Sequence, residues 1–171
     1  ASDVYKRQEI DLINPSTGDV IAQVSEANDE HVNDAVGVAK DTLENTWKDI
    51  TARERSTLLS KLGRLIEENY DVLASLEATD VGKPLRQAQA DVKALARYME
   101  FYAGAADKLH GDTIPYLEDY TVYTLREPHG VCAHIIPWNY PMQIIGRSVG
   151  AALATGNTCI LKPAEEACLT A

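Results

Sequence analysis

The sequence predicts an α/β protein in which helices and a β-hairpin arm lead into a parallel βαβ unit. Three observations predict it. "VCAHII" (131–136), "PMQIIGRSVGAALATG" (141–156) and "NTCILK" (157–162) read as strand, helix and strand in succession. So short a repeat of strands across a helix demands a right-handed crossover and parallel pairing. Between Asn28 and Tyr102 the apolar residues recur at helical spacing, the mark of packed amphipathic helices. "YTVYTLRE" (120–127) then alternates β-branched and aromatic residues between two turns, as a strand of an exposed arm does.

Taken in order, "NPSTGDVIAQV" holds a turn at Pro15–Gly18 followed by apolar alternation, which predicts a small hairpin. Asn28 is placed to cap a helix running to about Trp47, with Val32, Ala35, Val36, Ala39 and Leu43 on one stripe. "TARE" (Thr51–Glu54) is a capping box opening a helix whose expected buried face is Leu58, Leu62, Leu65 and Ile66. Asn69 is expected to cap the next helix, through Val72, Leu73 and Leu76, and Gly82 to stop it. Pro84 suits the first turn of another helix, on which Leu85, Ala88, Val92, Leu95, Met99 and Tyr102 form a packing stripe. Past "NTCILK" and Pro163, residues from Ala164 onward are expected to begin a further helix.

The composition is that of an ordinary globular chain: 171 residues, 45% hydrophobic, 25% charged, net charge -10. That balance argues against a nucleic-acid-binding surface, which needs clustered Lys and Arg. No apolar run approaches the roughly 20 residues that span a bilayer, so no membrane role is expected. The three cysteines, Cys132, Cys159 and Cys168, are odd in number and lack metal-ligand spacing, which points to no metal and to a reducing, cytoplasmic compartment. The opening "ASDVYKRQ" (1–8) has no pattern linking it to the residues after it and is set aside as a non-native leader. With no initial Met, and with "AEEACLTA" starting an element without finishing it, the chain reads as a piece of a longer protein. Such a piece, with an open sheet edge, is expected to leave apolar surface uncovered.

In a parallel sheet, ligands gather beyond the carboxyl ends of the strands. Two such ends exist here, "PWN" and "KPAEE", so Asn139 sits where functional groups collect. The glycine-rich GxGxxG turn of a dinucleotide site is absent, the turn reading "PWNYPM". Glu165, with Lys162 three residues before it, stands where an acidic ribose ligand is common. Spacing alone leaves two readings open for this pair: a ribose-binding group, or an exposed ion pair at a helix start. His134, in the middle of an apolar run, is read as a core or strand-edge histidine.

"IIPWNYP" followed by "ALATGNTCILKPAEE", together with "EATDVGKPLRQA" and "TVYTLREPHGV", closely resembles the aldehyde dehydrogenase family from about Ile10 onward. The resemblance implies a Rossmann-like cofactor domain, incomplete here, preceded by a helical segment and an oligomerisation arm. The division it implies is 9–107 for the amino-terminal helical part of that domain, 108–128 for the arm and 129–171 for the start of the parallel core. It implies that Asn139 stabilises the oxyanion formed when a thiolate attacks an aldehyde. Ile135, Ile136, Pro137 and Trp138 would line the cofactor cleft, and Lys162 and Glu165 would hold the adenosine ribose. A carboxylate there accepts from two ribose hydroxyls and repels a 2′-phosphate, which favours NAD over NADP.

Tyr140, Gln143, Ile144 and Arg147 fall at helical spacings and can share one face near Asn139; the resemblance implies that this face contributes to the aldehyde pocket. The resemblance to semialdehyde-oxidising members, in which an Arg at the matching place meets the substrate's distal carboxylate, implies an acid-tailed semialdehyde for Arg147, and a guanidinium fork suits that geometry. Alternatively it faces solvent or an internal carboxylate. Many relatives carry a Lys where Ser148 stands, so a Lys-assisted proton relay is in doubt. The family's nucleophilic cysteine and general-base glutamate have no counterpart among these residues, and the chain alone is expected to be inactive. Dimers or tetramers, and a small aldehyde as substrate, are implied by the same resemblance. An acyl reductase of the same superfamily and a catalytically silent structural relative are the alternatives.

Overall fold

The computed structural model describes residues 9–171, so the suggested leader, residues 1–8, lies outside the described residues. Strands β1 (Glu9–Ile13) and β2 (Val20–Ser25) pair antiparallel across the predicted turn, with a bulge between Leu12 and Ile13. Helix α1 (Asp29–Asn45) is closed at its start by a reciprocal bond between Asn28 and His31. It ends before Trp47, where a single 3-10 turn, Trp47–Asp49, takes over. The capping box is present at α2 (Ala52–Glu68): the Glu54 amide donates to Thr51 Oγ1, and the Thr51 amide donates to the Glu54 carboxylate. Helices α3 (Tyr70–Val81) and α4 (Leu85–Ala105) come next.

The α2 face differs from expectation. Leu59, Gly63 and Ile66 are buried, whereas Leu58, Leu62 and Leu65 are exposed. Gly63 explains the rotation. A Cβ there would lie 3.3 Å from the Ala96 carbonyl oxygen and 3.5 Å from Met99 Cβ. Helices α2 and α4 approach closely at the residue without a side chain, and the leucine ridge turns outward. Asn69 also departs from its expected role: its amide donates back to the Leu65 carbonyl at 2.8 Å, finishing α2 rather than capping α3. Gly82 does end α3, in the left-handed conformation with φ 73°, which glycine adopts without steric cost.

On α4, Ala88, Val92, Leu95 and Met99 form the spine of the core, meeting Leu59 and Ile66 of α2, Ala74 of α3, and Met142. Leu85 and Val32, also placed on stripes by their spacing, lie at the surface. In this segment Thr113–Ile114 (β3) and Val122–Tyr123 (β4) pair, so the expected longer strand through Glu127 forms over two residues alone. A second chain of hydrogen-bond partners is what such an edge lacks among the described residues.

The βαβ unit is present as predicted. Strand β5 (Val131–Ile135) pairs in parallel with β6 (Thr158–Lys162), and α5 (Pro141–Ala154) crosses between them, with Pro141 at its first turn. The helix expected from Ala164 does not form. Ala164 and Ala167 make an isolated bridge. The Leu169 amide donates to Asp80 Oδ2 at 2.8 Å, and the Thr170 hydroxyl donates to Glu77 Oε2 at 2.6 Å. Carboxylates of α3 thus capture donors of this segment and hold it as turns against that helix.

Candidate active site

The register of the parallel pair brings the two strand ends level. Ile135 lies opposite Lys162, and the Ile136 amide donates to the Lys162 carbonyl at 2.9 Å. Period-two alternation then divides the residues after β5. Ile136 is buried (2% exposed), and Ile135 stands out at 79% exposed. Pro137, Trp138, Asn139 and Tyr140 are exposed on the turn into α5.

Beyond β6, Lys162 Nζ and Glu165 Oε1 are 2.7 Å apart. The Lys162 ammonium, with a lesser backbone contribution, holds the Glu165 carboxyl below the usual 4.5. Trp138, Glu165 and Glu166 face into one cleft of about 580 Å³, closed on its other side by Ile10, Ile13 and Asp80. The geometry therefore unites Trp138 with Glu165 in a cleft that has an apolar wall and an anionic rim. Asn139 is next to Trp138 in the chain but does not line that cleft. Its side-chain amide makes no hydrogen bond among the described residues.

The backbone of Asn139 is held instead. Lys83 Nζ donates to its carbonyl oxygen at 3.0 Å, and to Glu77 Oε1 and Asp91 Oδ2 at 2.8 Å each. The ammonium lies 4.7 Å from the centre of the Tyr140 ring, a cation–π distance. Glu77 and Asp91 are wholly buried. Asp91 also accepts from Gln87 and Gln143 at 3.0 and 2.7 Å.

Of the residues expected at an aldehyde pocket, Tyr140 therefore sits over Lys83, and the Gln143 amide is committed to Asp91. Ile144 is half-buried. Arg147 is exposed and makes no ion pair among the described residues; its carbonyl accepts from Tyr102 Oη at 3.0 Å. Ser148 turns its hydroxyl back to the Ile144 carbonyl at 2.8 Å, so it offers no relay proton from this position.

The Lys83–Glu77–Asp91 cluster is not evident from sequence motifs. One signal for it is legible: Asp91 falls between Ala88 and Val92 on the buried stripe of α4, and a charge on an apolar stripe requires a partner.

Cys159 and Cys168 are ill-suited to nucleophilic work. Cys132 and Cys159 face each other across β5 and β6. Burial, assisted by Cys132, pushes the Cys159 thiol up to about 11. Burial also raises Cys168, with Asp80 and Glu165 adding to it. His134 has its Nε2 buried without a partner among the described residues, and burial pulls its pKa below the usual 6.5, so it stays neutral.

Residues 3–171 match the family model described as "Aldehyde dehydrogenase family". This chain belongs to the aldehyde dehydrogenase family. It is 47% identical over 161 residues to aldehyde dehydrogenase family 2 member B4, mitochondrial, of Arabidopsis thaliana, covering 93% of this chain and 30% of that protein. It is 42% identical over 172 residues to the mitochondrial aldehyde dehydrogenase of Homo sapiens, covering 99% and 33%. Among solved structures, the NAD+ complex of aldehyde dehydrogenase from Bacillus cereus superposes with a TM-score of 0.93 at 44% identity, covering 95% of this chain and 34% of that one. The chain thus spans about a third of the length of these relatives. The family match starts within the stretch that the sequence pattern sets aside as a leader. Two of these relatives are named as mitochondrial, and no helix among the described residues is long and apolar enough to cross a membrane.

Proposed function

We propose that this chain is the amino-terminal part of an enzyme that oxidises an aldehyde to a carboxylic acid with NAD. The observation that carries the reading is the level ending of β5 and β6. It sets a free side-chain amide, that of Asn139, close in the chain to a cleft shared by Trp138 and Glu165.

The cleft suits a nucleotide. The indole of Trp138 supplies an apolar wall, and Glu165, kept ionised by Lys162, accepts from vicinal hydroxyls. Ile135 and Pro137 offer further exposed apolar surface beside it, and Ile136 supports the strand end from beneath. Bound NAD would serve as the hydride acceptor. Asn139 would donate to the aldehyde oxygen as a thiolate adds to the carbonyl, giving a thiohemiacetal on a cysteine that is none of the three here. An amide is apt because it donates without a charge that titrates, and one preset donor is worth roughly 3 kcal/mol of barrier in a site closed to water. Tyr140, Ile144 and Arg147 on one side of α5 would receive the aldehyde's tail. The arm, with its short open ladder, would pair with a second copy in a homo-oligomer. A reducing compartment, the cytoplasm in our reading, suits the three free thiols.

The test is steady-state oxidation of short aldehydes with NAD by the full-length protein and by its Asn139→Ala variant. The variant should lose about 100-fold in kcat with the KM for NAD unchanged. Unchanged turnover would remove Asn139 from the chemistry.

A further inference from the structure

We propose that Lys83 is a positioning residue for Asn139: its ammonium clamps the Asn139 peptide oxygen, and so sets the direction in which the Asn139 amide points. The inference rests on the oxyanion role given to Asn139 above.

The Asn139 side chain makes no hydrogen bond among the described residues, so its own contacts do not hold it on target. Its direction is set by the backbone, which is held beside the side chain by the bond from Lys83 Nζ to the carbonyl oxygen at 3.0 Å. An ammonium has three N–H donors, and all three are assigned: Glu77 Oε1, Asp91 Oδ2 and the Asn139 oxygen. The Lys83 side chain is 9% exposed.

Each anchor is itself held. Thr170 Oγ1 donates to the second oxygen of Glu77 at 2.6 Å. Gln87 and Gln143 donate to the second oxygen of Asp91. The clamp therefore ties α3, α4 and the first turn of α5 to one nitrogen. It also crosses from the Gly82–Pro84 turn to the Pro137–Tyr140 turn, two segments with no ladder between them. Burying two carboxylates and one ammonium costs desolvation that an apolar contact would not. What the cluster provides in exchange is a fixed position for a peptide oxygen. A preset donor loses its advantage when displaced by about 1 Å, which can cost on the order of 100-fold in rate.

A double-mutant cycle on the full-length protein tests this, using Lys83→Met, Asn139→Ala and the pair. The readouts are kcat for aldehyde oxidation, the KM for NAD, and hydrolysis of an activated ester without nucleotide, which needs the same oxyanion donor. Lys83→Met should lower kcat and esterolysis by about 10- to 100-fold with the KM for NAD unchanged, and should add no further loss once Asn139 is Ala. Equal losses in the two backgrounds, the additive result expected of independent sites, would overturn the proposal. Circular dichroism establishes that each variant is folded. Lys83→Gln, which keeps two N–H donors on a shorter arm, serves in the same cycle where Lys83→Met is not. If the native protein oxidises no aldehyde, the function reading fails, and the clamp is then judged from the crystal structure of the Lys83 variant. A displaced or disordered Asn139 amide upholds it, and an unmoved amide overturns it.

Discussion

The Lys83 ammonium donates to the Asn139 carbonyl at 3.0 Å, joining the turn after α3 to the turn before α5 across 56 positions of sequence. Its environment lets the link fail only in strong alkali. Burial disfavours the charge on Lys83, but the hydrogen bonds and attraction of Asp91 and Glu77 outweigh that, and its pKa is raised above 10.5. A cation whose folded pKa is raised stabilises fully below its unfolded value, and the contribution is lost as pH climbs through the folded value. Lys83→Met strands two buried carboxylates and should cost about 3–5 kcal/mol at neutral pH. Denaturant melts of native and variant protein should differ by a constant amount from pH 6 to 9, with the gap narrowing only above 10.5. A gap that closes near neutrality would mean that another group controls it.

Glu165 titrates in the opposite sense. Its carboxyl lies below 4.5 because Lys162 pairs with it at 2.7 Å. It therefore accepts hydrogen bonds across the neutral range and loses that capacity only as pH falls through the lowered value. Glu165→Gln removes the charge but keeps the shape, and should weaken NAD binding about tenfold, the worth of a charged hydrogen bond. The same change relieves repulsion of a 2′-phosphate, so the ratio of NAD to NADP affinity should fall. Titration of both nucleotides by isothermal calorimetry measures the ratio, and an unaltered one would move the ribose elsewhere.

The βαβ unit is legible because its signals are local: apolar runs of strand length, Pro141 at a helix start and Gly156 beyond its end. The burial of α2 is not, because a glycine, not a leucine, decides which face meets α4. Leu58, Leu62 and Leu65 have the spacing of a core stripe, but Gly63 allows the closer approach, and closeness wins. The missing helix after Ala164 has a long-range cause as well: Asp80 and Glu77, more than eighty residues earlier, take up the Leu169 amide and the Thr170 hydroxyl. In the site, the strand ends and the Lys162–Glu165 pair can be read from pattern. The clamp on Asn139 depends on three helices meeting, which no local spacing encodes.

Cys159 provides a chemical check on the strand pairing. Its thiol, pushed to about 11 from the ordinary 9.0, should hold about 100-fold less thiolate near neutrality than an unperturbed cysteine, and alkylation tracks thiolate content. Iodoacetamide labelling at pH 7.5, read by peptide mass spectrometry, should leave Cys159 almost unmodified while a small control thiol reacts. Rapid modification of Cys159 would mean that β5 and β6 do not shield it.

Arg147 sets the last prediction, which concerns the substrate. It stands on α5 two turns beyond Asn139, exposed, with its guanidinium outside any ion pair among the described residues. Gln143, one turn nearer, already spends its amide on Asp91. Under the proposed function, Arg147 would meet a carboxylate at the far end of a bound aldehyde from this side of α5. A guanidinium pairs with a carboxylate through two parallel hydrogen bonds, so Arg147→Met should raise the KM for succinic semialdehyde by about 10- to 100-fold. An uncharged aldehyde of similar length lacks the partner, and its kinetics should hardly change. Equal losses on both substrates would mean that Arg147 supports the helix rather than the substrate, and equal preference of the native enzyme would retire the acid-tailed substrate altogether.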